Sequence, residues 1–233
     1  MCRRRQLLRS VGVPVHLACN TGSSVAVGVL TDTASNAVRT LLAMPEYKAA
    51  KRISVYLSMP TGEISTTGIV RDALAQGKQV FIPYTHTIQT PGHGHPSSIM
   101  DMLELHSMQD FESLQPDKWN IPTPRHDSIP GRANSFGGTG LTQGPVTVLG
   151  EGAGLDLMVM PGMAFDSSFG RLGHGKGYYD YFLRRCHDAS RVPFRGKKYW
   201  FPLRVGMLTD HDSRTVPDRA ATLARRVRTH GRL

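Results

Sequence analysis

Two short apolar runs with one amphipathic segment between them constrain the fold of this chain most strongly. Ile53–Met59 is rich in β-branched and aromatic residues and stops at a Pro-Thr-Gly turn, which predicts a strand. The next segment has apolar side chains at helical spacing, with Thr66 or Thr67 as its cap and Gly77 at its end. Gln79–Pro83 then predicts a second strand. A strand–helix–strand order of this spacing is typical of a parallel sheet with helices on its faces.

The segments outside this unit extend the same pattern. Ser35–Ala50 predicts a helix that Pro45 interrupts or splits, because proline lacks an N–H and clashes with the preceding turn. Met100–Leu105 alternates along its length and predicts an edge strand, and Leu203–Leu208 predicts a final strand. Residues 126–153 are rich in Gly, Ser, Thr and Pro, so they predict a long loop or a partly disordered insertion.

A glycine-rich stretch follows a third apolar run. Leu155–Met160 predicts a buried strand, and Tyr178–Arg185 predicts a helix with basic residues at its end. Between them, residues 171–177 (RLGHGKG) have glycine at every second position, so their backbone N–H groups can line an anion-binding concavity. Arg171 and Lys176 add positive charge. The stretch therefore predicts a phosphate loop, with a flexible turn as the alternative.

The residues around this loop refine its chemistry. Gly177 follows Lys176 where a Walker loop requires Ser or Thr, so this is a different kind of phosphate loop. Asp180 is a hard oxygen ligand, suited to holding Mg²⁺ against phosphate oxygens. Strand, glycine-rich loop and helix is the arrangement in which α/β proteins hold nucleotides at the carboxyl ends of strands.

A second group of candidate residues follows the first predicted strand. Glu63 lies at the carboxyl end of that strand, where ligand groups gather in parallel sheets, and its carboxylate could hydrogen-bond a polar heterocycle. The alternative is an acidic residue that stabilises the dipole of the next helix. Trp119–Pro122 (WNIP) combines an aromatic side chain with a rigid turn, and a packed anchor is the simpler interpretation than a ligand platform.

The histidines and cysteines do not predict a metal site. His86, His93 and His95 lie among Thr, Gly and Pro, and the pair His93 and His95 has no carboxylate or cysteine nearby, so 85–99 predicts a solvated loop, with a metal site as the less favoured alternative. The three cysteines are odd in number and lack CxxC spacing. This pattern argues against a disulfide framework or a zinc knuckle and for a reducing compartment.

The net charge of +10 is concentrated at the two ends of the chain. Residues 1–31 contain four arginines and no acid, residues 191–233 contain eleven Lys or Arg and three Asp, and the part between them is close to neutral. Basic ends can bind polyanions non-specifically, but no RNP, KH or helix-turn-helix pattern accompanies them. We therefore expect no dedicated nucleic-acid partner. No run of 18 apolar residues occurs, so we expect no membrane span either.

The composition of the first residues leaves two locations open. Residues 1–31 contain arginine and lack acids, as mitochondrial transit peptides do. Pro14 breaks their apolar part, which argues against the amphipathic helix that such a peptide needs. We expect a cytoplasmic monomer, with mitochondria as the alternative location.

Taken together, these segments resemble the 5-formyltetrahydrofolate cyclo-ligase family, also called 5,10-methenyltetrahydrofolate synthetases. The resemblance covers about residues 35–190, in the family's order and spacing, and 171–180 is its most specific part. The other matching pieces are Pro45–Tyr47, Lys51–Met59, Glu63–Ile64, Gly77–Lys78, Phe81–Pro83, Trp119–Pro122, Met160–Gly162 and Phe165–Asp166. The resemblance implies a three-layer α/β fold, with a mostly parallel open sheet and helices on both faces. It also implies ATP- and Mg²⁺-dependent cyclisation of 5-formyltetrahydrofolate.

The resemblance implies roles for individual residues as well. Arg171, Lys176 and Tyr178 would be catalytic, the two cations by countering charge on the transferring phosphoryl group and the tyrosine by contacting folate near its formyl group. Asp180 would ligate Mg²⁺, and His174 would either bind phosphate or point outward. The residues that would bind ATP are Arg171, Leu172, Gly173, His174, Gly175, Lys176, Gly177, Tyr178 and Tyr179. The residues that would bind the folate are Leu57, Glu63, His174, Gly175, Lys176, Gly177 and Tyr178, the first two at the pterin ring.

The two ends depart from the family pattern, which begins with a basic helix and closes with an acidic segment. We divide the chain into an atypical basic N-terminal segment (1–34), a cyclo-ligase-like α/β domain (35–208) and an atypical basic tail (209–233). Loop insertions lie near 85–99 and 126–153. The departures leave two other functions open. One is a folate- or nucleotide-binding protein with impaired catalysis, and the other is an RNA-associated protein with basic ends as its contact surface.

Overall fold

The secondary structure alternates helices and strands along most of the chain. The computed structural model describes residues 35–60, 63–89, 96–144, 146, 150, 152–165, 171–173, 175–190 and 194–204. The helices are α1 (35–43), α2 (Pro45–Ala49), α3 (Thr67–Ala75), α4 (Met108–Glu112) and α5 (Tyr178–Ser190), and a 3-10 helix spans His126–Gly131. The strands are β1 (Arg52–Val55), β2 (Gln79–Thr87), β3 (Ser98–Leu105), β4 (Gln115–Pro116), β5 (Pro122–Thr123), β6 (Leu155–Gly162), β7 (Ala164–Phe165), β8 (Arg171–Leu172) and β9 (Phe194–Arg204).

Five strands form one open sheet in the order β3-β2-β1-β6-β9. β1 runs parallel to both β2 and β6, and β6 runs parallel to β9. Ile53 pairs with Val80 on one side and with Leu157 on the other, which places β1 at the centre of the sheet. β3 is antiparallel to β2 and lies at an edge, as the pattern of Met100–Leu105 predicts. The mostly parallel α/β sheet is therefore confirmed.

Two apolar clusters, one on each face of the sheet, hold the helices against it. On one face, Val80 packs in a buried cluster with Tyr47 of α2 and Ile69 of α3. On the other face, Phe81 packs in a second cluster with Phe182 of α5. The neighbours Val80 and Phe81 belong to different clusters because successive strand side chains point to opposite faces. Burial on both faces explains the continuous apolar runs of these strands and confirms the three-layer architecture.

The first predicted strand is shorter than Ile53–Met59, because β1 ends at Val55. The carbonyl oxygen of Tyr56 accepts a hydrogen bond from the hydroxyl of Thr66 at 2.7 Å, so the backbone leaves the sheet there. Thr66 occupies the N-cap position of α3, but its side chain makes no capping hydrogen bond. The predicted helix and its N-cap at Thr66 are therefore confirmed, while the Thr66 hydroxyl bonds Tyr56 instead of the helix.

The solvated loop predicted at 85–99 is wrong at both of its ends. β2 continues to Thr87 and β3 begins at Ser98, so both ends of the segment belong to an antiparallel pair. The ring of His86 is nearly buried, and its Nε2 lies 3.1 Å from Oδ2 of Asp101. The register of β2 and β3 brings Asp101 close to His86, a carboxylate that the sequence next to His86 does not show. His93 and His95 lie outside the described residues.

The Gly- and Ser-rich segment predicted as a long loop is folded over much of its first half. After the 3-10 helix, Asn134 bridges to Leu103 of β3 in an isolated antiparallel pair. Arg132 is buried and donates from both terminal nitrogens to Asp110, at 2.7 and 2.6 Å. Phe136 is buried against α5. The polar composition of the segment does not reveal this packing, because the residues that it contacts lie far away in the sequence.

The other boundaries differ from the predicted ones to varying extents. The first helix splits at Pro45 as predicted, and β6 and α5 both extend beyond their predicted ends. β9 spans Phe194–Arg204, so the final strand begins earlier than the predicted Leu203–Leu208. The residues before Leu203 belong to the strand because they pair in parallel with β6, for example Tyr199 with Leu157. None of the described helices has the length and apolar character that a membrane crossing requires.

A buried ion pair fastens α5 to the edge strand β3. Asp101 and Arg185 are almost fully buried, and Nη1 of Arg185 donates to Oδ1 of Asp101 at 2.9 Å. Thr142 adds hydrogen bonds to the same carboxylate from its backbone N–H and its hydroxyl. Burial alone would raise the pKa of Asp101, but the hydrogen bond from His86, the charge of Arg185 and the bonds from Thr142 outweigh it. The pKa of Asp101 is therefore lowered.

Candidate active site

The residues predicted to bind ligands lie after the carboxyl ends of two neighbouring parallel strands. β1 ends at Val55 and leads into the segment 56–66, which contains Glu63. β6 ends at Gly162 and leads through β7 and β8 into the glycine-rich loop and α5. Because β1 and β6 pair in parallel, both segments emerge at the same edge of the sheet, called here the carboxyl edge.

The segment after β1 folds around a buried tyrosine. The hydroxyl of Tyr56 donates to the carbonyl of Ile64 at 3.1 Å, which closes the segment on itself. Oε2 of Glu63 accepts the backbone N–H of Met59 at 2.8 Å. Burial, and then the negative charge of Glu63, raise the pKa of Tyr56. Leu57 is only 4% exposed and belongs to the core beneath the site.

The glycine-rich loop needs glycine for two different reasons. At Gly173, an added Cβ would meet Nη1 of Arg171 at 2.8 Å, so any other residue would displace the guanidinium from its place beside the backbone. Gly175 and Gly177 have φ values of +90° and +67°, which side chains other than glycine adopt at a cost. The backbone oxygen of Gly177 then accepts the N–H of Tyr181, which begins α5. His174 lies outside the described residues.

Arg171 is held in place from three directions. Its Nη1 donates to the carbonyl of Pro161 at 3.2 Å, and its Nη2 donates to Oδ1 of Asp180 at 3.0 Å. Its guanidinium carbon lies 5.4 Å from the ring centre of Tyr179, a distance suited to a cation–π contact. The side chain of Arg171 is 9% exposed, whereas that of Asp180 is 69% exposed. A fixed positive charge therefore lies beside the loop, with an accessible carboxylate next to it.

Tyr179 connects the two halves of the site. The pKa of Tyr179 is raised, mainly because the phenol is buried. The charge of Arg171 lowers this pKa, while the charge of Glu63 and the phenol of Tyr56 raise it. Glu63 therefore lies close enough to Tyr179 to act on it electrostatically, as Arg171 does. Arg171, the predicted phosphate-binding residue, contacts the ring of Tyr179 directly, whereas Glu63, the predicted pterin-binding residue, acts on it through charge.

Lys176 and Tyr178 take different positions at the start of α5. Lys176 is exposed, as are Gly175 and Gly177 on either side of it. The hydroxyl of Tyr178 instead lies 3.2 Å from Oγ of Ser98, the first residue of β3. Tyr178 packs against the apolar cluster on the α5 face of the sheet. The first turn of α5 is therefore anchored to β3 as well as to the loop.

The fit to Mg²⁺ rests on one carboxylate. Mg²⁺ in nucleotide sites is commonly held by one or two carboxylates together with waters and substrate phosphates. Asp180 is exposed beside the cationic loop, and this chemistry fits such a site. Among the residues that the structure describes, no three His, Cys, Asp or Glu side chains form a group that could hold a metal ion. A site made by the protein alone is therefore not found within those residues.

Sequence reasoning missed three contributors to the site. Tyr56, Ser98 and the carbonyl of Pro161 all contact or approach residues that the motif predicts. Tyr56 follows the carboxyl end of β1, so the rule that selected Glu63 could have found it. Ser98 and Pro161 carry no such signal, because their roles depend on strand pairing and loop conformation.

A separate open pocket lies at the opposite edge of the sheet. It has a volume of about 520 Å³, and the residues lining it are Ala49, Lys51, Arg52, Gly77, Gln79, Gly152 and Asp156. Asp156 already accepts the backbone N–H groups of Lys51 and Arg52 within it. We favour the carboxyl edge over this pocket as the functional site, because charged and aromatic side chains from several elements converge there.

Comparison with known proteins identifies relatives over most of the chain. The model of the 5-formyltetrahydrofolate cyclo-ligase family matches residues 20–197. The mouse 5-formyltetrahydrofolate cyclo-ligase is 36% identical over 152 residues, which cover 65% of this chain and 63% of the mouse protein. The Saccharomyces cerevisiae 5-formyltetrahydrofolate cyclo-ligase is 31% identical over 183 residues, which cover 75% of this chain and 71% of the yeast protein.

The share of each relative that is matched varies. This chain spans less than two thirds of the length of the mouse relative. The NMR structure of Aquifex aeolicus 5,10-methenyltetrahydrofolate synthetase aligns with a TM-score of 0.44 and 21% identity. That alignment covers 84% of this chain and 85% of the Aquifex protein.

Proposed function

The chain belongs to the 5-formyltetrahydrofolate cyclo-ligase family, and we propose that it catalyses the ATP- and Mg²⁺-dependent cyclisation of 5-formyltetrahydrofolate to 5,10-methenyltetrahydrofolate, with release of ADP and phosphate. One observation supports the proposal most directly. Glu63 and Arg171, far apart in the sequence, both act on Tyr179 at the carboxyl edge, Arg171 through a ring contact and Glu63 through its charge. A carboxylate suited to a heterocycle and a cationic loop suited to phosphate thus share one site, as a reaction between folate and ATP requires.

The proposed reaction turns a poor leaving group into a good one. The formyl oxygen attacks the γ-phosphorus, an O–P bond forms, and the P–O bond to ADP breaks with its electron pair leaving on ADP. N10 then adds to the activated formyl carbon and loses its proton, and the carbon–oxygen bond breaks to release phosphate. The formyl oxygen leaves in that phosphate, so the reaction needs no oxidant and no further reactant.

Positive charge at the loop would stabilise the phosphoryl group during transfer. Arg171 is held by the carbonyl of Pro161 and the ring of Tyr179, so its charge is positioned before ATP binds. Lys176 is exposed on the loop and adds a second cation. Mg²⁺ held by Asp180 would supply neutralisation of charge on the phosphate oxygens. Arg171 would keep its contacts with Pro161 and Tyr179 if Asp180 bound a metal instead of the guanidinium.

The folate would lie on the Glu63 side of Tyr179. Oε2 of Glu63 is used by Met59, and within the described residues Oε1 has no hydrogen-bond donor, so it can accept from the N–H groups of a pterin. Leu57 would support the ring from the core. Tyr178 would contact the folate near the formyl group, where the helix and the glycine-rich loop meet.

The test is a spectrophotometric assay of the full chain with 5-formyltetrahydrofolate, ATP and Mg²⁺, following absorbance of the methenyl product. We expect ATP-dependent product from the wild type, and a fall in kcat/KM of about 100-fold or more for Lys176→Ala, as for loss of one charge-stabilising donor. The matched control is Lys51→Ala, an exposed lysine at the opposite edge of the sheet, which we expect to keep wild-type activity.

The outcomes separate the functions that the sequence leaves open. Folded protein without ATP-dependent product refutes the cyclo-ligase. Tight binding of folate without turnover would then identify a binding protein with impaired catalysis. Steeply salt-dependent RNA binding would identify an RNA-associated protein instead.

We also propose a cytoplasmic monomer, with mitochondria as the alternative location. The Arabidopsis thaliana relative is named as a mitochondrial protein, which keeps that alternative open. Fractionation of cells that express the full chain distinguishes the two locations.

A further inference from the structure

The hydroxyl of Tyr178 belongs to a directed chain of hydrogen bonds. Oγ of Ser98 lies 3.1 Å from the backbone oxygen of His86 and 3.2 Å from the hydroxyl oxygen of Tyr178. A backbone carbonyl can only accept, so Ser98 must donate its hydrogen to His86. Oγ of Ser98 is then left as an acceptor, and the hydrogen between Ser98 and Tyr178 comes from the tyrosine. The single hydrogen of the Tyr178 hydroxyl therefore points into the protein.

The acceptor at the end of this chain is held rigidly. His86 is paired with Ile99 in the antiparallel ladder of β2 and β3, next to the pair of Thr87 and Ser98. Its ring contacts Asp101, which the buried Arg185 of α5 also binds. The same two elements, β3 and α5, thus meet at Ser98 with Tyr178 and again at Asp101 with Arg185. The direction of the hydrogen bonds therefore follows from the strand pairing, which sets the His86 carbonyl beside Ser98.

This direction restricts what Tyr178 can offer a ligand. With its hydrogen given to Ser98, the phenol oxygen presents lone pairs only and can accept a hydrogen bond but not donate one. In 5-formyltetrahydrofolate the formyl oxygen is an acceptor, whereas N10–H is a donor. Of these two groups, N10–H matches an oxygen that only accepts.

We propose that Ser98 is a positioning residue that fixes Tyr178 as the hydrogen-bond acceptor for the N10–H of 5-formyltetrahydrofolate, an inference that rests on the proposed function. Accepting this hydrogen turns the lone pair of N10 away from Tyr178. It also stabilises the positive charge that N10 acquires as it adds to the formyl carbon. The proposal adds no covalent step to the reaction.

The kinetic test compares Ser98→Ala, Ser98→Thr and Tyr178→Phe, alone and combined. Loss of the serine hydroxyl lets the Tyr178 hydrogen point toward the ligand, so we expect Ser98→Ala to lower kcat/KM about fivefold, the worth of one neutral hydrogen bond. Ser98→Thr keeps the hydroxyl and should stay within about twofold of wild type. In the Tyr178→Phe background, Ser98→Ala should have no further effect. An equal loss in both backgrounds means a general structural role and overturns the proposal.

A second measurement does not depend on turnover. In protein labelled with ¹³C at tyrosine Cζ, Tyr178→Phe identifies the Tyr178 resonance by its disappearance. We expect this resonance to shift in Ser98→Ala, to keep its position in Ser98→Thr, and to shift again when 5-formyltetrahydrofolate is added to wild type. A Tyr178 resonance that ignores Ser98→Ala or the added folate overturns the proposal. Wild-type protein that makes no product refutes the proposed function instead, and the resonance still decides the role of Ser98.

Discussion

Replacing Arg185 by methionine tests how much the buried ion pair contributes to stability. The side chain of Arg185 is 3% exposed and its partner Asp101 is fully buried. Nη1 donates to Asp101 at 2.9 Å and to the carbonyl of Met100 at 3.0 Å, and Nη2 donates to Thr142. The guanidinium carbon of Arg185 lies 4.6 Å from the ring centre of Phe136, so methionine keeps much of the apolar stem but loses the charge, the donors and this cation–π contact.

The expected loss follows from what remains around Asp101. Removing one partner of a buried ion pair costs about 3–5 kcal/mol, because the other charge is left buried and uncompensated. His86 and Thr142 still bond the carboxylate, and Nε of Arg185 has no hydrogen-bond partner among the described residues. Both facts favour the lower end of that range of energies, so we expect Arg185→Met to lower the free energy of unfolding by about 3 kcal/mol.

The assay is urea unfolding followed by circular dichroism, in which the midpoint should fall while the slope stays constant. Arg125→Met is the matched control, because Arg125 pairs with Asp127 at 2.8 Å with both side chains exposed. We expect that control to change stability by less than about 0.5 kcal/mol. Adding Asp101→Asn to Arg185→Met should restore part of the loss, because no buried charge is then stranded. A loss below about 1 kcal/mol for Arg185→Met would refute the reasoning.

Three further predictions concern pH, backbone strain and thiol reactivity. Burial alone would raise the pKa of Asp101, but the His86 hydrogen bond and the Arg185 charge outweigh it. Because this pKa is lowered in the folded state, the ionised Asp101 contributes its full stability above about pH 4, and the contribution is lost as the pH falls through the folded pKa. In Asp101→Asn, the free energy of unfolding should therefore depend less on pH between about pH 6 and 3 than in wild type. Gly177→Ala, at φ +67° with open space for its Cβ, should lower thermal stability by about 1 kcal/mol through backbone strain. Burial raises the pKa of Cys186 to about 12, so iodoacetamide should modify it, by peptide mass spectrometry, only after denaturation.

The sequence predicted those parts of the fold whose signals are local. Apolar runs such as Gln79–Pro83 become central strands because burial on both faces requires them. The motif 171–180 was located because glycine spacing reports on backbone conformation directly, and Gly175 and Gly177 do have positive φ. The position of Glu63 and Arg171 at the same edge of the sheet was foreseeable, because both follow the carboxyl ends of parallel strands.

The parts that sequence reasoning missed depend on register and on distant partners. His86 looked like a loop residue because nothing near it in the sequence shows that Asp101 lies 3.1 Å away in the folded chain. The 126–144 segment looked like a loop because its composition is polar. Its buried Arg132 is satisfied by Asp110, and only the folded structure brings these two together. Long-range polar satisfaction leaves no periodic trace, so pattern reasoning cannot find it.

The paired tyrosines at the start of α5 explain how the site and the buried ion pair belong together. Consecutive helix residues point about 100° apart, so Tyr178 reaches Ser98 of β3 while Tyr179 lies beside Arg171 and near Glu63. Seven residues make nearly two full turns, so Arg185 lies on the same side of α5 as Tyr178 and binds the same strand. The β3 side of α5 is therefore fixed at two points, whereas Tyr179 is held by the loop and the segment after β1. We therefore expect a change at Arg185 to disturb the side of α5 that carries Tyr178.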